Sequence, residues 1–509
     1  MLREPTLKTA SANGHCTATF DVINPVTGDT LRTLPQHGPA EVAVAVRRAR
    51  EAQPAWAALA PKERARMLRR FGTLLLKHQK RVVDTLVGET GKDRRGATVE
   101  AVLVDGACDY YGRHAPRWLK SEKRASANPL IYSARLHHRP YGVVGNICPW
   151  NYPLLLMMLD MVPALIAGNA VVVKPSEVTP LTAFEVADLL REAGLPDGLF
   201  GIVTGDGQTG AALIDEVDYV MFTGSTATGR RVAMQCAERL IPCSLELGGN
   251  DPFIVLDDAD LNLAAAYAIS AGTLNAGQAC VAAERVIVEE NVYDVFMKQL
   301  LKWHKRVTIG TSKKHVMGSL INQREFDRVR EHIADAVERG ARVVAGGNPL
   351  PKLGPLFHDV TILADVTPDM RVMQEETFGP VIPVIKAKNV EDAIRLANDT
   401  PYGLSAAVWS NNRQRAFRVA QRLQSGVVNI NTVVAGDFGT IALPSGGVKD
   451  SGIGRRNGKE GLLKYTQSLG IVRDDHPLPM FDPTLNNRRT VFLMKLNRVL
   501  GRVFPFLAP

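Results

Sequence analysis

The chain has 509 residues, 45% of them hydrophobic and 22% charged; that composition is globular, and the length suits two or three domains of roughly 100–200 residues each. So long a chain buries a core without disulfide or metal staples, and its six cysteines form neither CxxC pairs nor histidine-flanked ligand sets, so neither zinc nor a disulfide framework is expected. The net charge of +9 gathers at the end, where Arg488, Arg489, Lys495, Arg498 and Arg502 stand with no acid; a mildly basic body without an aromatic–basic stripe gives nucleic acid no footing.

The first residues, MLREPTLKTASANGHC, lack the apolar run of a secretory signal. With the scattered cysteines they suggest a reducing, cytoplasmic setting. Residues 38–118 repeat apolar positions at three and four, with Pro61 suited to a first helical turn and Gly91 to a stop. From about 130 the period becomes two, as in strands. Residues 154–173 are apolar enough to suggest a membrane span, but Asp160, Pro163, Gly168 and Asn169 interrupt them. A buried helix, a Gly-Asn turn and the strand Ala170–Val173 explain the stretch better.

Strands and helices then alternate through AVVVK, GLFGIVT, DYVMFTGS and CSLELGG, the pattern of a Rossmann-like parallel sheet. A second α/β segment, about 251–445, offers DPFIVL, RVIVEE, ARVVAG, VIPVIK and SAAVWS as strands.

Several short stretches can carry chemistry. FTGSTATGR places Gly224 and Gly229 around a helix start after a strand, where free backbone N–H groups suit a pyrophosphate; alone, it is equally an ordinary glycine-rich turn. KPSE closes a strand with Lys174 and, three residues on, Glu177, a pair suited to a ribose or to an exposed loop. LELGG sets Glu246 among apolar residues, where a desolvated carboxylate gains the raised pKa of a general base. Asn151 in PWN offers an amide donor for an oxyanion, or a turn cap. Cys280 in NAGQACVAAERV has only small neighbours, which suits an accessible nucleophile as well as a small core residue.

Taken in order, PWNYP (149–153), KPSE (174–177), FTGS (222–225), ELGG (246–249), GQAC (277–280), EETFGP (375–380) and PSGGVKDSGIGR (444–455) resemble the aldehyde dehydrogenase superfamily from about Phe20 to Val472. The resemblance implies an α/β fold: a Rossmann-like cofactor domain (1–123 and 141–248), an α/β catalytic domain (249–446) and a small β oligomerisation flap (124–140 and 462–475). It implies Cys280 as nucleophile, Asn151 and the Cys280 N–H as oxyanion donors, and Glu246 as the base that activates water. Lys174 and Glu177 would hold the adenosine ribose, and Gly224 with Ser225 the pyrophosphate. Glu376 and Phe378 would hold the nicotinamide ribose, with Trp150, Ser176, Gly205, Phe222 and Leu247 completing the cofactor contacts. No metal is implied. The cofactor expected is NAD, since Glu177 accepts ribose hydroxyls and repels a 2′-phosphate, with NADP as the second choice. A homodimer or homotetramer is expected through the flap.

The chain departs from the family pattern in two places. Ser445 stands where PFGG has phenylalanine, and Arg456 where GRE has glutamate; both are expected away from the chemical core, bearing on subfamily and subunit contacts. The ending GRRNGKEGLLKYTQS resembles a bacterial succinate-semialdehyde dehydrogenase branch. Other enzymes of that activity grip the substrate carboxylate with an arginine in the helix after PWN, where this chain has Leu159. Leucines and methionines there suit an apolar tunnel, so a medium or long apolar aldehyde and a small semialdehyde both stand as substrates. A CoA-acylating enzyme is disfavoured by Glu246, and a non-catalytic structural member by the intact set of motifs. The tail, 485–509, reads as a basic amphipathic helix broken near Pro505. It either packs on protein, across the tunnel or a neighbouring subunit, or makes a peripheral membrane contact.

Overall fold

The computed structural model describes residues 18–126 and 132–474, together with 492 and 495. Phe492 and Lys495 lie in helical backbone and are exposed; the rest of the tail, and with it the choice between packing and membrane, lies outside the described residues. Among the described residues, no helix is long and apolar enough to cross a membrane.

Four helices, Pro39–Ala58, Pro61–Lys77, Gln79–Thr90 and Arg94–Trp118, occupy the stretch expected to be helical. Pro61 takes the first helical position, where its missing N–H costs nothing, and Gly91 ends the third helix in the left-handed region.

Pro39–Ala58 packs on a six-stranded sheet, and the other three helices pack on the helices Pro153–Ala167 and Leu181–Glu192 that cover it. The sheet is ordered Gly452–Ile453, Cys243–Glu246, Tyr219–Thr223, Val143–Ile147, Ala170–Lys174, Phe200–Ile202. All its pairings are parallel except that of the Gly452–Ile453 edge. The chain starts in the middle at Val143–Ile147, fills one side, and returns to fill the other from Tyr219–Thr223. A crevice therefore opens at the carboxyl ends of those two strands, the place where open α/β sheets bind ligands. The helix Pro153–Ala167 follows the first of them and is buried along its whole length. Burying each leucine or methionine there contributes about 1.5–3 kcal/mol. Gly168 at φ +103° ends it before the strand Ala170–Lys174, so the apolar run 154–173 is core.

A seven-stranded sheet with its own core is ordered Arg342–Ala345, Thr361–Ala364, Val381–Ala387, Ala283–Glu289, Asp251–Val255, Ser405–Trp409, Val427–Ile430. The five expected strands are all present. Thr361–Ala364 and Val427–Ile430 are strands that the sequence reading did not include. The hairpin Thr19–Ile23 with Thr30–Pro35 also went unread.

A third, antiparallel sheet pairs Thr466–Asp474 with Tyr132–Pro140, and Tyr132–Pro140 with Glu122–Arg124. Thr466–Asp474 is its outer strand, with Ile471 and Val472 exposed.

Candidate active site

The loop Pro149–Asn151 leaves the central strand Val143–Ile147 at the crevice. Its position is set from a distance. Lys92 Nζ donates to the Asn151 carbonyl at 2.7 Å and pairs with the Glu100 carboxylate, and Glu100 accepts from Leu155 N at 3.0 Å, in the first turn of the next helix. Asn275 Nδ2 adds a bond to the same Asn151 carbonyl at 3.0 Å. The Asn151 amide donates one proton to the Gln278 carbonyl at 3.1 Å, and the NH2 group carries a second. Among the described residues, Asn151 Oδ1 is buried without a partner.

Cys280 comes from a tight loop after the helix Leu261–Thr273. Asn275, Ala276 and Gly277 all take positive φ there, and at Gly277 a Cβ would lie 2.0 Å from the Gly379 carbonyl, so the loop locks against EETFGP. Cys280 stands half-buried on the cleft wall. Burial, then the Glu376 carboxylate, pushes its thiol well above the usual value. The resting group is therefore the thiol, and a base must take its proton on attack.

Glu246 ends the strand Cys243–Glu246 and is buried. Burial raises its carboxyl to about 7, against the pull of Arg456 and Lys464, which is the range a general base needs. Three residues on, Gly249 packs on the Cys280 backbone: a Cβ there would stand 2.4 Å from the Cys280 carbonyl. Glu376 accepts from Gly249 N at 3.0 Å, and burial likewise lifts its carboxyl to about 7.

One cleft of about 350 Å³ joins these groups to the crevice. Trp150, Asn151, Phe222, Gly224 and Leu247 line it beside Cys280, Glu376 and Phe378, while Lys174, Ser176, Glu177 and Ser225 line it too. Of the residues expected at the site, Gly205 and Glu246 lie just behind the wall. Gly205 accepts from Lys174 Nζ at 2.7 Å, a bond that fixes the lysine beside Glu177, 3.5 Å away. Ser225 caps the helix Thr226–Glu238, whose N-terminus opens into the cleft. Trp150 and Phe378 meet edge to face, their centroids 5.3 Å apart. A cation and a carboxylate near a helix N-terminus, with a thiol and a second carboxylate in the same cleft, suit a dinucleotide with its reactive ring towards the thiol.

The expectation for Ser445 and Arg456 was wrong. Both are buried and bridged to each other through their backbones. The turn between them folds Gly446 against Glu246, so that a Cβ on Gly446 would lie 3.0 Å from Glu246 Oε1. The departures from PFGG and GRE thus sit beneath Glu246.

Sequence reasoning also missed Lys92, Glu100 and Glu284. Glu284 accepts from the Thr377 and Phe378 N–H groups at 2.9 and 2.8 Å, holding the loop that carries Glu376. These are lone charged residues far along the chain from the motifs they brace, and only a fully buried position would have marked them.

Comparison with known proteins agrees with this geometry. Residues 12–469 match the aldehyde dehydrogenase family. A Mycolicibacterium smegmatis protein provisionally named succinate-semialdehyde dehydrogenase (NADP(+)) is 41% identical over 484 residues, 94% of each chain. The glutarate-semialdehyde dehydrogenase of Pseudomonas aeruginosa is 39% identical over 88% of this chain and 93% of its own. Among solved structures, an NADP-dependent enzyme of E. coli superposes with a TM-score of 0.87 at 38% identity, covering 90% of this chain and 95% of its own. The chain belongs to the aldehyde dehydrogenase family.

Proposed function

We propose that this enzyme oxidises an aldehyde to its carboxylic acid through a covalent intermediate on Cys280. The observation that carries the reading is the placing of Cys280 and Asn151 on one cleft, backed by a buried glutamate whose carboxyl titrates at about 7. The Cys280 sulfur attacks the carbonyl carbon, its proton passing to a base, and a thiohemiacetal forms. The developing oxyanion is met by the second Asn151 amide proton and the Cys280 N–H; losing one such donor costs about 2.7–4 kcal/mol of barrier. Glu376 and Phe378 would hold the ribose of a nicotinamide cofactor in the cleft, which would supply the acceptor for the hydride; loss of that hydride from the thiohemiacetal carbon leaves a thioester. Glu246 then takes a proton from water, the hydroxide attacks the thioester carbon, and the C–S bond breaks to release the acid and the thiolate.

The cofactor of this reading is NAD, with NADP also used. Glu177 suits ribose hydroxyls, and Arg231, lining the same cleft, offers a cation to a 2′-phosphate, in keeping with the NADP-dependent relatives. The substrate is a short aldehyde ending in a carboxylate, the class named for both curated relatives. The helix Pro153–Ala167 contains no Lys or Arg and Leu159 is buried in it, so the cation meeting that carboxylate comes from elsewhere. The same helix favours the second reading, a medium or long apolar aldehyde. Subunits assemble as a homodimer or homotetramer through the outer strand Thr466–Asp474. A cytoplasmic location goes with this reading, since the five described cysteines are free thiols, as a reducing compartment keeps them.

The test is nicotinamide reduction with NAD and NADP, each against succinic semialdehyde, glutaric semialdehyde and decanal, with Cys280→Ser as control. Higher kcat/KM for a semialdehyde is expected. Preference for decanal would establish the second reading, and reduction unaffected by Cys280→Ser would overturn the mechanism.

A further inference from the structure

Beneath Glu246 lies a group of buried charges to which the reaction above gives no task. Arg456 donates from Nε and Nη2 to Asp160 Oδ2, at 3.0 and 2.7 Å. Lys464 Nζ and the Tyr465 hydroxyl donate to Asp160 Oδ1, both at 3.0 Å. The Asp160 side chain is 1% exposed, that of Arg456 7% and that of Lys464 10%. Two cations share one carboxylate, so the cluster holds one positive charge in excess where little water reaches. Isolated charge in such a place costs several kcal/mol unless an opposite charge stands near.

The geometry shows where that excess is directed. Arg456 Nη2 also donates to Thr223 Oγ1 at 3.0 Å, and Thr223 is the strand neighbour of Glu246. On the other side, Arg456 N donates to Ser445 O at 2.6 Å and Ser445 N to Arg456 O at 2.9 Å. That bridge holds Gly446 against Glu246 Oε1. Arg456 is thereby tied beside the base on both flanks, by its guanidinium at Thr223 and by its backbone at Ser445.

We propose that the Asp160–Arg456–Lys464 cluster is the counter-charge of the general base, and that Arg456 is a positioning residue that keeps Glu246 ionised and in register at neutral pH. The inference rests on the reading of Glu246 as the base. Four charged groups face that carboxylate. Arg456 and Lys464 come from the segment after the Ser445 turn, Asp160 from the helix Pro153–Ala167, and Asp437 from the turn Ala435–Gly439. The two cations favour its ionised form and the two acids oppose it. Asp160 therefore acts in two ways: it pairs the cations and it weakens their hold on Glu246. That double action makes the arrangement testable by sign.

The experiment measures thioester hydrolysis as a function of pH, by single-turnover kinetics on the acyl-enzyme formed with the preferred aldehyde and nucleotide. Lys464→Met and Arg456→Met each remove a cation. The acid limb is expected to move up by about one pH unit, a roughly tenfold loss of rate well below the limb. Asp160→Asn removes the anion and is expected to move the limb down. Lys464→Met keeps the Arg456–Asp160 pair and so provides a folded variant if Arg456→Met is unstable. A merely structural role lowers the amplitude without moving the limb, or moves it the same way in all three variants; either result overturns the proposal. Glu246→Gln separates the two readings. If that variant keeps both the limb and the hydrolysis rate, Glu246 is not the base, and the failure lies in the reaction rather than in the cluster.

Discussion

Lys92 and Glu100 form an ion pair in which each side chain is 1% exposed, and between them they hold both ends of the loop that carries Asn151. Lys92 grips the Asn151 carbonyl, and Glu100 takes the Leu155 N–H. The pair fixes the backbone from which the Asn151 amide projects into the cleft.

Lys92→Met removes that grip and strands a buried carboxylate, which costs about 3–5 kcal/mol. The expected result is a lower urea midpoint together with a lower kcat. In the double variant Lys92→Met/Glu100→Met no unpaired charge is left, so the midpoint should recover more than kcat does. Equal recovery of both would show that the pair serves stability alone.

Glu284 acts on the cofactor side of the same cleft. Its two oxygens take the Thr377 and Phe378 N–H groups, and Phe378 is held at φ +56°, a backbone state that a side chain of its size rarely adopts. Leaving buried N–H groups without their acceptor costs about 1–3 kcal/mol, so Glu284→Ala is expected to weaken nucleotide binding by roughly tenfold. Quenching of protein fluorescence by NAD reads this directly. An unchanged Kd would mean that the loop holds its shape without the carboxylate.

Much of the site was legible because its chemistry demands particular residue types at strand ends. Cys280, Glu246 and Asn151 follow strands or tight loops, and their short motifs say so. The braces were not legible. Lys92 and Asn151 are 59 residues apart, and Glu284 and Thr377 are 93 apart; a lone lysine or glutamate belongs on the surface until a fold buries it. Arg456 misled for the same reason. Although it adjoins PSGGVKDSGIGR, nothing in that motif shows that the turn at Gly446 returns it beneath Glu246. The fold followed a similar rule. The buried helix Pro153–Ala167 could be read from its length and its Gly-Asn stop.

The outer strand Thr466–Asp474 leaves Ile471 and Val472 exposed at a sheet edge, a place where chains pair with one another. Val472→Asp is expected to shift the mass measured by light scattering towards the monomer. The melting temperature of the dissociated chain should move little, since exposed substitutions stay within about ±0.5 kcal/mol. An unchanged mass would place the subunit contact elsewhere.

The absent side chain at Gly249 carries a consequence for how this enzyme can change. The strand bearing Glu246 runs straight into a residue whose only substituent is hydrogen, and that hydrogen faces the carbonyl of Cys280. Any larger residue would push the Glu246 segment away from Cys280, so variation there is closed. The spacing of Glu246 and Cys280 is therefore a fixed length, and new substrates must be won by reshaping the apolar helix, the cleft walls and the buried charges around a centre that does not move.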